Sequence, residues 1–261
     1  MLRRTWGRLS GTAAVTLPTL TPAPHGIAAT PSWRLYMKDA STQALRSAWH
    51  DLPLRPAAAA DPRLLISVTE IPRGTRAKLE LCKEEPHNPI KQDVVAGASG
   101  PSLRCFAYGD IPFNYGFLPR TWEDPRHVDA RTGCVGDGDP VDVVHLGAAH
   151  HIGAYGPVRV LGVLGLIDQG ETDWKIIVES VDAAGGGGGY DTLAKVPLEL
   201  RVAIVDWFEN YKVAEGKQKN VFAFDKEIRG ADTALEIIAQ CAAQYDALVA
   251  GTCGDAGYWL R

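Results

Sequence analysis

Three carboxylates fall within six residues in the stretch Gly136-Asp137-Gly138-Asp139-Pro140-Val141-Asp142-Val143. Acidic oxygens gathered so tightly repel one another unless cations sit among them, and hard oxygen ligands suit Mg²⁺, Mn²⁺ or Ca²⁺ rather than zinc. A plain acidic turn is the competing reading, because Asp, Gly and Pro are common turn residues. An EF-hand is excluded: counting from Asp137, the sixth and twelfth positions hold Asp142 and Ala148 instead of glycine and glutamate. If the stretch is extended, Asp137 and Asp139 share a face, and Pro140 pushes Asp139 toward that conformation. Asp142 is out of phase, so a bend or bulge is expected before all three converge.

A second acidic cluster, Asp168-Gln169-Gly170-Glu171-Thr172-Asp173-Trp174-Lys175, adds three carboxylates and a lysine. By itself it reads as a solvated hairpin loop; with the first cluster it offers oxygens for two or more divalent ions. Cations recur beside the acids at Lys78, Arg104, Lys175 and Lys212. Metal-binding carboxylates interleaved with Lys and Arg are what phosphoryl chemistry requires, since metals neutralise phosphate charge and the cations hold departing oxygens. Two ions about 3.5–4 Å apart can share one water, lower its pKa and prepare a hydroxide for in-line attack on phosphorus. No serine or cysteine stands out as a nucleophile, and His87, His127, His145, His150 and His151 form no ligand set.

The elements that must position these residues are short strands. Leu64–Ile71, Ala77–Leu81, Val158–Ile167 and Trp174–Val181 read as strands bounded by turns. Pro197–Lys212 reads as a helix with Leu200, Ile204, Trp207, Phe208 and Tyr211 on one face. A second helix, capped by Asp232 or Thr233, carries Leu235, Ile238, Cys241, Tyr245 and Leu248 at helical spacing. The glycine run Gly185–Gly189 reads as a flexible loop and lacks the Gly-Lys-Ser/Thr ending of a P-loop. Many strands followed by two helices predict a mainly β, α+β domain built on a small barrel. No linker or repeat divides residues 33–261.

Composition sets the outer limits. The formal net charge of −4 argues against nucleic acid as a partner. No apolar run approaches the ~20 residues that span a bilayer, so no membrane partner is expected. Five scattered cysteines without a C-x-x-C pair indicate neither a disulfide scaffold nor a zinc knuckle. The first acidic residue is Asp39, and Arg3, Arg4, Arg8, Arg34 and Lys38 precede it among many Ser, Thr, Ala and Pro residues. That is the composition of an organellar transit peptide, so residues 1–32 are expected to be a leader. The expected destination is the mitochondrion, with plastid or cytoplasm as alternatives.

Asp137-Gly138-Asp139-Pro140-Val141-Asp142-Val143 resembles the signature of the family I soluble inorganic pyrophosphatases. The likeness extends in order through Ser47–Leu54, Glu70-Ile71-Pro72-Arg73, Ala77-Lys78-Leu79-Glu80, Asn114-Tyr115-Gly116, Thr121-Trp122-Glu123-Asp124-Pro125, Gly170–Lys175 and Tyr211-Lys212. Ser47-Ala48-Trp49-His50-Asp51 and Thr121–Pro125 are similar to the eukaryotic branch. The resemblance implies a five-stranded OB-like barrel with flanking helices and Mg²⁺-dependent hydrolysis of pyrophosphate to two phosphates, with Mn²⁺ as a substitute ion.

Carried over residue by residue, it implies metal ligands at Asp137, Asp142 and Asp173, with Asp168 and Glu80 serving further ions. Asp139 is implied as the general base, and Lys78, Arg104, Tyr115, Lys175, Tyr211 and Lys212 as groups that bind the phosphoryl halves. Glu70 is implied as a carboxylate behind the site. On the residues alone, Tyr115 and Tyr211 read as core tyrosines, Tyr211 being in phase with the apolar face of its helix. A homodimer is implied as well, although Gly74 stands where the eukaryotic branch often has an interface tryptophan. Two rivals remain at this level: hydrolysis of another phosphoanhydride such as short polyphosphate, and an OB-like binding module without catalysis.

Overall fold

Five strands with apolar residues on both faces find partners along both edges. The computed structural model describes residues 17–57, 59–96, 100–181, 189–254 and 256–260. Leu64–Ile71 pairs antiparallel with Tyr155–Asp168 on one side and Asn114–Phe117 on the other. Asn114–Phe117 continues to Asp142–Leu146, which runs parallel to Glu171–Ser180. Glu171–Ser180 then turns back onto Tyr155–Asp168. The sheet thereby closes into the expected five-stranded barrel, and closure removes the free edges that would otherwise template aggregation.

Alternation along the strands decides what each face carries. Val141, Val143, Trp174, Ile176 and Val178 pack with Ala234, Ile237, Ile238 and Cys241 of helix α2 (Ala231–Val249). Val144, Leu146, Leu164, Leu166 and Ile177 pack with Ile204, Trp207 and Phe208 of helix α1 (Leu198–Asn210). Asp142, Asp168, Asp173 and Lys175 are in phase with the second set. The chemistry-bearing residues therefore emerge on the barrel face that α1 covers.

Three expectations shift. The cap of α2 is Gly230 rather than Asp232 or Thr233. Arg229–Gly230 is itself paired with Gly162–Val163, so the chain enters the helix straight from the ladder. Asp232 instead lies in the first helical turn, where its charge complements the helix dipole. The Ala77–Leu81 strand contracts to Leu79–Leu81, with Ala77 held to Cys105 by a single bridge.

The folded chain also begins ahead of residue 33. Leu20–His25 pairs with Arg34–Asp39, and Tyr155 Oη donates to Pro18 O and accepts from Leu20 N, both at 2.7 Å. Leu20–His25 falls inside the expected leader, and an edge strand tolerates its Pro22 and Pro24 because one row of its N–H groups has no partner. Residues 1–16, which hold all three arginines of the leader, and residues 182–188 of the glycine-run segment lie outside the described residues.

Candidate active site

The acidic run is a turn, not an extended strand. Val135–Gly136 pairs parallel with Glu171–Thr172, and the chain then reverses at Gly138, which has φ +81°. Asp139 N–H donates to Asp137 Oδ1 at 2.9 Å across this turn. The bend thus falls between Asp137 and Asp139, where a shared face was expected, and it sends the two carboxylates to different neighbours. Asp139 is half exposed and paired with Lys83. Asp137 meets Glu123 and Asp173, with one carboxylate oxygen of each residue within 4.8 Å of the others. Gly136 permits that approach, since a Cβ there would lie 2.4 Å from the Glu123 carbonyl carbon.

Burial and mutual repulsion dominate this cluster. Burial is the largest cause that pushes the carboxyls of Glu123, Asp137 and Asp173 upward, with neighbouring acids adding to it; at Asp173 those acids are Asp142 and Asp168, and Lys175 pulls the other way. Glu123 Oε1 accepts the Trp174 N–H at 2.9 Å, whereas Glu123 Oε2 is buried without a hydrogen-bond partner. An unsatisfied buried carboxylate oxygen beside two further carboxylates is the donor set of a hard divalent cation.

Across the cleft, Lys175 stands opposite Asp142 in the ladder. Its ammonium donates to Asp142 Oδ2 at 2.5 Å, to Tyr115 Oη at 2.7 Å and to Asp173. Burial alone would neutralise this lysine, but Asp142 and Asp173 outweigh it and raise its pKa, so it stays cationic. Tyr115 donates to Asp142, and burial followed by the Asp142 charge raises its pKa. Glu70 is buried behind them and accepts the Leu81 N–H at 2.6 Å. Desolvation and then Asp142 push its carboxyl well above the usual range.

The remaining cations are each tied to an acid. Lys212 pairs with Asp168, and Tyr211 Oη donates to the same carboxylate at 3.4 Å. Lys78 bridges Glu80 at 2.9 Å and Asp93 at 3.1 Å, while Arg104 reaches Asp93 and Glu215, each at 3.0 Å. A cleft of about 320 Å³ is lined by Glu70, Lys78, Glu80, Tyr115, Asp137, Asp139, Asp142, Asp168, Asp173, Lys175 and Tyr211. Lys212 joins it through Asp168, and Arg104 through the Asp93 it shares with Lys78. Every site residue expected from the sequence is therefore in or beside one cleft.

Sequence reasoning assigned no role to Glu123, Lys83 or Asp93. Glu123 had a usable signal, as the acid of Thr121-Trp122-Glu123-Asp124-Pro125. Lys83 and Asp93 had none, because an isolated charge among strand-like residues looks like any solvated side chain.

A closed small barrel with clustered carboxylates opposed by lysines, an arginine and tyrosines defines a metal-assisted phosphoryl-transfer enzyme. Residues 67–246 match the family model described as inorganic pyrophosphatase, and the chain belongs to that family. It is 42% identical over 223 residues to an inorganic pyrophosphatase of Homo sapiens, covering 83% of this chain and 74% of the human one. It is 40% identical over 224 residues to soluble inorganic pyrophosphatase 1, chloroplastic, of Chlamydomonas reinhardtii, covering 84% of this chain and 75% of that one. An N-terminally truncated vacuolar soluble pyrophosphatase of Trypanosoma cruzi, solved in complex with PPi, superposes with a TM-score of 0.79 at 34% identity. That match covers 95% of this chain and 98% of the other.

Proposed function

We propose that this chain hydrolyses inorganic pyrophosphate to two orthophosphates with Mg²⁺ as the working ion. The observation that carries the reading is the convergence of acids, lysines and tyrosines in one cleft of about 320 Å³. Mg²⁺ held among Asp137, Asp142, Asp173, Asp168 and Glu80, with Glu123 beside them, would neutralise phosphate charge and lower the pKa of the attacking water. Asp139 accepts the proton of that water as general base. Lys78, Arg104, Tyr115, Lys175, Tyr211 and Lys212 orient the two phosphoryl halves and take up charge on the departing phosphate. Glu70 completes the acidic floor behind Asp142.

Phosphate release from pyrophosphate by the full chain, with and without Mg²⁺, tests this reading. Rapid Mg²⁺-dependent release is expected. Faster release from short polyphosphate would transfer the activity to that substrate, and no release from folded protein would leave a binding module. The acid-free, arginine-containing N-terminus and the chloroplastic relative support an organellar location, which we assign to the mitochondrion. A fluorescent fusion of residues 1–32 that stays in the cytosol would refute it. A homodimer is part of the same reading, checked by sedimentation.

A further inference from the structure

We infer that the C-terminal segment Gly257–Leu260 is a clasp that holds the Gly138–Asp139 peptide, and so the Asp139 carboxylate, in its working orientation. Tyr258 is its positioning residue. The inference rests on Asp139 being the general base.

The segment lies beyond residues 67–246, the range that the family model matches. It nevertheless lies directly on the catalytic turn. Tyr258 Oη donates to Gly138 O at 3.1 Å. The same carbonyl accepts Lys83 Nζ at 2.9 Å and Trp122 Nε1 at 3.1 Å. A carbonyl oxygen has two lone pairs, so three donors saturate it and fix the plane of the peptide that leads into Asp139. The approach is close enough that a Cβ on Gly138 would lie 2.9 Å from Tyr258 Oη.

The segment also holds the second contact to Asp139. Lys83 pairs with the Asp139 carboxylate, lies 5.0 Å from the Tyr258 ring centroid, and accepts the Trp259 N–H on its own carbonyl at 2.8 Å. Trp259 O is in turn tied to Asn88 Nδ2 at 3.2 Å and to His50 Nε2 at 3.1 Å, both from buried residues. The clasp is therefore anchored in the core at one end and applied to the turn at the other.

The turn needs such support. The Asp139 side chain is 52% exposed, so packing does not orient it. Gly138, with φ +81° and no Cβ, is the softest residue of the run. A general base must lie within hydrogen-bond reach of the proton it removes, and a small rotation of this peptide would swing Asp139 out of that reach.

The test compares Tyr258→Phe, which keeps the ring and removes one donor, with a chain ending at Ala256. One hydrogen bond is worth about 0.5–1.5 kcal/mol, so Tyr258→Phe is expected to lower kcat about 2–10-fold with KM little changed and melting temperature lowered by only about 1–6 °C, which leaves the protein folded at the assay temperature. Hydrogen exchange of a peptide spanning residues 134–142 should quicken in both variants, and kcat should fall further in the shortened chain. Wild-type kcat and exchange in Tyr258→Phe would overturn the clasp even if the shortened chain fails to fold. So would a kcat loss that merely tracks the folded fraction. Asp139→Asn separates the two ideas. Full turnover there removes the base on which the clasp rests, whereas slow turnover there with full turnover in both tail variants removes the clasp alone.

Discussion

Replacing Glu123 by glutamine should make the metal-free protein more stable and the metal-dependent reaction worse. The Glu123, Asp137 and Asp173 carboxylates each offer an oxygen within 4.8 Å of the other two. At that separation and an effective dielectric of about 20, each ionised pair costs about 3 kcal/mol. Proton uptake relieves part of this, which is why burial and the neighbouring acids raise all three groups. Glutamine removes the charge but keeps an oxygen for the Trp174 N–H that Glu123 accepts now. A gain of about 1–3 kcal/mol is expected in EDTA at pH 8.5, where more of the cluster is ionised, or about 2–4 °C in Tm per kcal/mol. In the same variant the Mg²⁺ concentration for half-maximal activity should rise at least about tenfold, because a hard cation loses one anionic donor. Melting curves in EDTA and Mg²⁺ titrations read both effects. If the two proteins melt together and their Mg²⁺ curves overlay, Glu123 has no part in the acidic cluster.

Asp139→Asn should slow turnover by roughly 10²–10⁴-fold with metal binding retained, the scale of a general base. Asp142→Asn should instead weaken metal affinity, and calorimetric Mg²⁺ titrations that overlay the wild type would reject that. Gly138→Ala places a side chain at φ +81° and should cost about 1–2 kcal/mol of stability, read from urea unfolding. His145 is buried, and its pKa is lowered to about 3 by desolvation and then by His150. The unfolded chain therefore binds the extra proton between about pH 6.5 and 3, and this group loses stability as pH falls, about 2 kcal/mol from pH 7 to 5. Glu70, Glu123 and Asp137, shifted upward, act with the opposite sign. The His145→Gln variant should accordingly lose less stability than wild type over that pH range; parallel pH–stability curves would contradict the assignment.

Much of this protein is local, and the local part can be read from the chain. Leu64–Ile71 is a strand in both readings because its β-branched and apolar residues and the Pro72 stop act within eight residues. Helix α1 follows from Pro197 and the apolar spacing of Ile204, Trp207 and Phe208. The acids and cations are legible because their chemistry narrows them to phosphoryl work before any fold is known. The acid-free composition that marks residues 1–32 as a leader hides the edge strand Leu20–His25, since its pairing comes from Arg34–Asp39 rather than from its own residues. The turn at Gly138 was misread as extended because Pro140 biases only the residue before it.

An inventory is readable from the chain: the residue types that can bind metal and phosphate, and the strands and helices that carry them. Which of these residues meet is settled by folding. The parallel ladder sets Asp142 beside Lys175, and the segments outside the barrel set Glu123 against Asp137 and Asp173 and Tyr258 onto Gly138. Separations of up to about 120 residues along the chain become contacts of a few ångströms there, and no local preference encodes such distances.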